Sequence, residues 1–401
     1  MIRNTTYRIL KTAWQQSCGL WRVLCVSLML LPMTTSCERD PELHLFDQGE
    51  VELELPVVDL DLEAYWDYLL TYGVVYDWQA EWFYGWDERD QAHFGDIGYT
   101  KPNVFNLRRY FTGAITPAHH TQVIKNMVEG SSFRGKYEFG YWDILVWNDI
   151  KAVDGVQSLI INEDLSLDSV IASTNASMHS ARYNAPRFTR AFWQPEALFS
   201  AYDVGIEINR NLEGFEYDPV RNVYVKKLNM LLRPITYIYL TQVILHHNRG
   251  KITNVDGTSN LSGMSRSTNV NTGIAGNDAI SVNYDVLFKN NCDMRGESVD
   301  IVGGRLLTFG ICNLDANNVM RPEQVIDDNK HYMDVTMWFN NGVDSTFVFD
   351  VTDQVRKRFK GGVLTVELDM DTIPVPRRPG GSAFDAVVKD YEDGGTHEFE
   401  M

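Results

Sequence analysis

Residues 331–339 (HYMDVTMWF) and 345–351 (STFVFDV) flank Asn340-Asn341-Gly342. Both flanks are rich in β-branched and aromatic residues, and an Asn-Gly pair supplies the positive φ that a tight hairpin needs. The stretch therefore reads as two antiparallel strands. Side chains alternate along a strand. Phe347, Phe349 and Val351 thus share an apolar face, with Val348, Asp350 and Thr352 on the other.

The same pattern continues in both directions. Strands are expected at 363–370 (VLTVELDM), 305–312 (RLLTFGIC) and 280–289 (ISVNYDVLFK). Residues 223–247 carry a long strand signal interrupted at Pro234. There Ile235, Tyr237 and Tyr239 lie opposite Thr236, Ile238 and Leu240. Pro374, Pro376 and Pro379 with Gly380-Gly381 stop the sheet, and 377–401 is an acidic tail. Upstream, 207–222 (EINRNLEGFEYDPVRN) is a connector rich in turn formers.

Before the connector, strands are expected at 51–55 (VELEL) running into Val57-Val58-Asp59-Leu60, at 137–147 (YEFGYWDILVW) and at 156–161 (VQSLII). Residues 196–206 close this half, 164–187 read as a long polar loop, and 119–129 as a short helix or an exposed connection. Short strands at turn-punctuated spacing predict an all-β chain of two tandem β-sandwiches, 47–206 and 223–376.

Residues 76–86 (YDWQAEWFYGW) also alternate, with Tyr76, Trp78, Ala80, Trp82, Tyr84 and Trp86 on one face. Ten aromatics fall within 65–86. Buried, they form one face of a sandwich core. Exposed, they form a stacking platform for sugar rings or a protein hot spot. The clean alternation favours burial. Tyr65, Trp66 and Tyr68 lie outside that strand and are the candidate ligand-binding aromatics.

The N-terminus carries an address. Arg3, Arg8, Lys11 and Arg22 precede an apolar run at 23–33 (VLCVSLMLLPM), too short to span a bilayer. Thr34-Thr35-Ser36 then leads into Cys37. Residues 1–36 read as a lipoprotein signal peptide, Cys37 as the lipidated residue and 37–46 as a tether, although Thr34 stands where an aliphatic residue is usual. The expected location is the outer membrane, lipid-anchored at the cell surface. Net charge is −18, and the signal contains no acidic residue, so the remainder is more negative still. That excludes a nucleic-acid partner and electrostatic attachment to anionic headgroups.

No catalytic motif is present: no H-E-x-x-H, G-x-S-x-G, Walker loop or G-x-G-x-x-G after a strand. His119-His120 and His246-His247 are adjacent pairs, and strand neighbours point to opposite faces, so neither pair is expected to chelate one metal. No cofactor and no enzymatic activity are expected. Cys292 and Cys312 fit either a disulfide or two small buried residues.

Several segments together resemble the fimbrillin superfamily of Bacteroidales surface lipoproteins, in particular minor-fimbria anchor proteins. They are Cys37, the first strand Val51–Leu62, 140–148 (GYWDILVWN), 194–199 (QPEALF), 231–239 (LLRPITYIY), 260–264 (NLSGM), 307–310 (LTFG) and 349–352 (FDVT). The resemblance implies two transthyretin-like (Ig-like Greek-key) sandwiches and a role in pilus assembly or cell adhesion. It also implies fimbrial subunits as partners, joined by β-strand addition. Stalk subunits of that superfamily lose their first strand to an arginine-specific protease, which opens a groove for a donor strand. Here no Lys or Arg occurs between Asp40 and Glu88. The first strand is therefore expected to stay, as in an anchor or accessory subunit. The 65–110 region fits the pattern poorly and reads as an insertion. A carbohydrate-binding lipoprotein using exposed aromatics is the other reading.

Overall fold

The computed structural model describes residues 57–64, 77–114, 120–130, 132–150, 157–163, 166–175, 191–209, 211–312, 328–377 and 396–399. The strands before the first long loop of the second half are β1 (Val57–Ala64), β2 (Val104–Gly113), β3 (Gln122–Glu129), β4 (Arg134–Lys136), β5 (Gly140–Asn148), β6 (Leu159–Asn162), β7 (Ile171–Thr174), β8 (Ala191–Trp193), β9 (Phe199–Ile208), β10 (Glu216–Asp218) and β11 (Val223–Pro234). They are followed by β12 (Tyr237–His246), β13 (Ile252–Ser265), β14 (Ser267–Asn269), β15 (Ala279–Met294), β16 (Glu297–Thr308), β17 (Tyr332–Phe339), β18 (Asp344–Asp350), β19 (Gly362–Asp369) and β20 (Thr396–Phe399). Helices are short: α1 (Trp78–Glu81), α2 (Glu88–Phe94) and α3 (Thr352–Lys357). The chain is all-β.

One sheet runs β3-β2-β5-β9-β11-β1-β4, with β10 on β11. Its turning point is β11, which pairs with β9 only through Arg233 and Pro234 and with β1 from Val225 to Leu232. Leu107, Trp142, Ile144, Val146, Phe199, Ile206, Met230 and Leu232 form the core enclosed by this fold. A second sheet runs β19-β12-β16-β15-β13-β17-β18-β20, with β8 on β15. Here β15 is the corner: residues 279–285 pair with β13 and 286–294 with β16. Tyr239, Val243, Leu261, Tyr284, Met333, Phe347, Phe349 and Val366 fill this core. Face-to-face burial of alternating strands is the sandwich solution to covering two apolar sheet faces. A small sheet, β14-β7-β6, joins residues of both halves and packs Leu159, Ala172 and Val270 against Tyr110 and Trp147.

The hairpin forms as its residues dictate. Tyr332 to Trp338 pair with Asp350 to Asp344, Gly342 takes φ 80°, and Phe347 and Phe349 stack in the core with centroids 6.4 Å apart. Val348 is buried too, so both faces of β18 are covered.

Other expectations are corrected. Residues 122–129 form a strand, because every residue from Gln122 to Glu129 has a partner on β2. The segment read as a loop at 164–187 contributes β7 and a 3₁₀ turn at Leu167–Ser169, both anchored by β14 and Val270. Residues 223–234, read as opening the second half, hydrogen-bond in the first sheet; the second sheet's own strands resume at Tyr237. Residues 77–86, the described part of the alternating stretch 76–86, do not form a strand. The Asp77 side chain caps α1 at Ala80 N–H, 3.3 Å, and Asp87 and Asp90 form a reciprocal capping box on α2. Cys292 and Cys312 are not joined by a disulfide; Cys312 is buried, and burial pushes the half-buried Cys292 thiol up. Among the described residues no helix is long and apolar enough to cross a membrane.

Candidate functional site

Three of the sequence-derived candidates, Tyr65, Trp66 and Tyr68, lie outside the described residues, as do Cys37, the signal peptide, the tether and most of the tail. What the structure does describe is the seat of the first strand and a strap, residues 77–99, built from the aromatic block.

The seat of β1 is made by two strands of opposite direction. All eight residues pair in parallel with β11, from Val57 on Val225 to Ala64 on Leu232. Val57, Val58 and Asp59 also pair antiparallel with Lys136, Gly135 and Arg134 of β4. Thus β1 is an inner strand at its start and has β11 on one side beyond Asp59. Backbone N–H and C=O groups in a sheet are obligatory partners, so removing β1 would orphan those of β11 and β4 together. At the opposite end of that sheet, β3 pairs among the described residues with β2 only. Its exposed Lys125 is the kind of charge that blunts an open edge.

The strap lies on the outer face of β12, β16 and β19. Trp82 and Tyr84 are buried against Ile238, Leu240, Ile244, Val299, Ile301 and Val363. A buried amide on β12 fixes the backbone above it. Gln242 Oε1 accepts from Phe83 N–H, 2.9 Å, and Tyr84 N–H, 3.3 Å, while its Nε2 donates to Glu81 O, 2.7 Å, and Thr365 Oγ1, 2.9 Å. Glu81 also pairs with Arg358. At the far end Arg305 donates to the carbonyls of Ile97 and Gly98, each 3.0 Å, and Tyr99 OH donates to Thr236 O, 2.6 Å. Gly303 lets this happen: a Cβ there would run into the Tyr84 ring.

Beside Tyr84 sits a charged group. Tyr84 OH donates to Asp90 Oδ1, 2.8 Å, and burial, followed by this bond, pushes the hydroxyl pKa far up. Lys289 of β15 contacts Asp90 Oδ2, lies 2.8 Å from Asp87 Oδ2 and stands 4.2 Å over the Tyr84 ring. The Lys289 hydrogen bond holds the Asp87 carboxyl at about 2. Sequence reasoning found the aromatics but missed Gln242 and Lys289. The available signal was an amide inside the apolar run YIYLTQVIL.

The histidines separate. His120 Nε2 bonds Asp143 Oδ2, 2.7 Å, with its ring 4.8 Å from Tyr110. His246 bridges Glu297 and Glu367, both at 3.1 Å; burial opposes its charge, but these bonds outweigh it and raise its pKa. His247 pairs instead with Asp369, 3.0 Å, and its ligand atom comes within 4.8 Å of those of Asp369 and Asp371. This group is exposed, and Arg249 already neutralises Asp371 at 3.3 Å.

No protein-family model and no curated protein matches the chain. Solved structures do. A candidate adhesin from Bacteroides ovatus is 12% identical with a TM-score of 0.47, over 81% of this chain and 94% of that one. A candidate adhesin from Bacteroides thetaiotaomicron is 8% identical with a TM-score of 0.43, over 79% and 93%. The fimbrial anchor protein Mfa2 of Porphyromonas gingivalis is 12% identical with a TM-score of 0.39, over 78% and 90%. These three are two candidate adhesins and a fimbrial anchor protein, another similar structure is a candidate polysaccharide-binding protein of Bacteroides thetaiotaomicron, and with each of these TM-scores below 0.5 the functional reading rests on the chain's own residues.

Proposed function

We propose that this protein is a fimbrillin-type surface lipoprotein, held by Cys37, that anchors or accompanies fimbriae and does not polymerise into a stalk. The carrying observation is the seat of β1. The strand pairs along its whole length with β11 and at Val57 to Asp59 also with β4, and the nearest basic residues on either side are Arg39, before it, and Arg89, inside α2 of the strap. A cut at Arg39 would release the chain from its lipid without emptying the groove. A cut at Arg89 would sever a segment clamped to the second sheet. With β1 in place an incoming donor strand finds its hydrogen-bonding positions taken. The working surfaces are then strand edges elsewhere.

The glycan reading needs exposed aromatics. Trp82 and Tyr84 are buried, and the exposed aromatics among the described residues, Tyr202, Tyr217 and Trp338, are not the ones it names, Tyr65, Trp66 and Tyr68. Isolating the acylated protein from surface-labelled cells after mild cross-linking tests the proposal. Fimbrial subunits should be its main partners. Recovery of surface glycan with no protein partner would contradict it.

A further inference from the structure

Asp90 is fully buried in the strap, and all its neighbours are placed for a reaction. Its Oδ1 accepts from Tyr84 OH, 2.8 Å, and its Oδ2 accepts from the Asp87 N–H, 2.9 Å, and contacts Lys289 Nζ. The Lys289 side chain is 14% exposed. A second carboxylate, Asp87, reaches the same amine at 2.8 Å. The Tyr84 ring, itself buried, covers the amine at 4.2 Å. A buried ion pair recovers little of its desolvation cost. Condensation removes both charges from that site. Fixing amine against carboxyl in the fold makes their encounter intramolecular.

We propose that Lys289 Nζ and Asp90 Cγ condense to an intramolecular amide that joins the strap covalently to β15. A proton first passes from the ammonium to Asp90 Oδ2. The Nζ lone pair then attacks Cγ, and Tyr84 OH stabilises the negative charge that develops on Oδ1. Asp87 takes a proton from Nζ and returns it to Oδ2. The Cγ–Oδ2 bond breaks, Oδ2 leaves as water, and the carbonyl re-forms on Oδ1. An ammonium and a carboxylate become one amide and one water, with no oxidant, reductant or other reactant. The bond encloses everything from β2 to β14 in a closed loop. Tension entering before Asp90 and leaving after Lys289 would bypass those strands. A tether under load gains from this, and the chemistry stands whether or not the protein accompanies fimbriae.

The test is the mass of the folded, purified full chain followed by a peptide map, which reads the bond regardless of N-terminal processing. The wild type should yield a branched peptide containing Asp90 and Lys289, lighter by one water than its two linear parts. K289R keeps the charge and lacks the nucleophile, so it should give linear peptides only. D87A keeps both reacting groups and should slow bond formation by about 100-fold, the usual weight of a positioned proton carrier. Linear peptides only from folded wild type would overturn the proposal and leave an ion pair. A branched peptide in D87A formed at the wild-type rate would overturn the role of Asp87. The wild-type measurement decides the bond even if a variant fails to fold.

Discussion

Arg108 projects from β2 with 7% of its surface exposed, and its charge is met there by a carboxylate and an aromatic face. Its Nε and Nη2 each donate to Glu163 at 2.7 Å, and the guanidinium lies 4.6 Å over the Trp147 ring. The Arg108 hydrogen bonds, opposed by burial and aided by Lys125, hold the Glu163 carboxyl at about 2 instead of 4.5. A folded-state pKa below the unfolded one stabilises above the unfolded value, and this contribution is lost as pH falls through the folded value. Glu163 should therefore contribute about 1–2 kcal/mol near neutrality, after allowing for solvent screening, and lose it between pH 4.5 and about 2. Urea unfolding across that range should show the loss in wild type and a flatter profile in E163Q. Phe349, fully buried beside Phe347, gives a sharper case. Phe349→Asp should cost at least about 3 kcal/mol, since an unpaired carboxylate would replace a core ring. Unchanged thermal unfolding would mean that the register of β18 is wrong. That register was legible in the sequence, because alternation sorts Phe347, Phe349 and Val351 cleanly. The Arg108–Glu163 pair was not, since nothing local to 108 or 163 points to the other.

At the scale of elements, the strap and β1 behave differently from what alternation implies. Tyr84 does lie buried, as the pattern requires, but on the outer face of the second sheet and not in a strand of its own. Local capping by Asp77 and Asp87 outcompeted a sheet that had no neighbour to offer. The parallel pairing of β1 with β11, 168 residues apart at Val57 and Val225, is likewise invisible to local periodicity. Hairpins such as β17–β18 announce themselves through their turn, whereas a distant parallel partner leaves no turn to read. Gly303→Val should lift Tyr84 off the sheet, detectable as increased amide exchange at 82–84 and lowered thermal stability, with the second core retained. Asp67→Arg places a cleavable residue after β1. Arginine-specific cleavage of this variant should free β1 and let the chain bind a synthetic 57–64 peptide, which the uncut protein should not bind.

For the whole molecule, membrane attachment should depend on one atom. Cys37→Ala should move the protein wholly to the soluble fraction, because stable attachment needs the acyl chains that Cys37 would carry. Continued sedimentation with membranes would contradict the lipoprotein assignment. The all-β class and strands such as β5, β6, β12, β15 and β17 to β19 followed from turn-punctuated alternation, whereas β2, β3, β7 and β13 did not. The surface proposed to meet a partner did not, because a strand edge is backbone and carries no residue signature. The central claim is that β1 stays in its seat, and the most direct measurement is to treat the purified, non-acylated mature protein with an arginine-specific protease and run denaturing gels over time. The account predicts trimming near Arg39 and a single band of monomer size, with β1 retained by mass. A ladder of regularly spaced oligomers would contradict it and make the protein a stalk subunit.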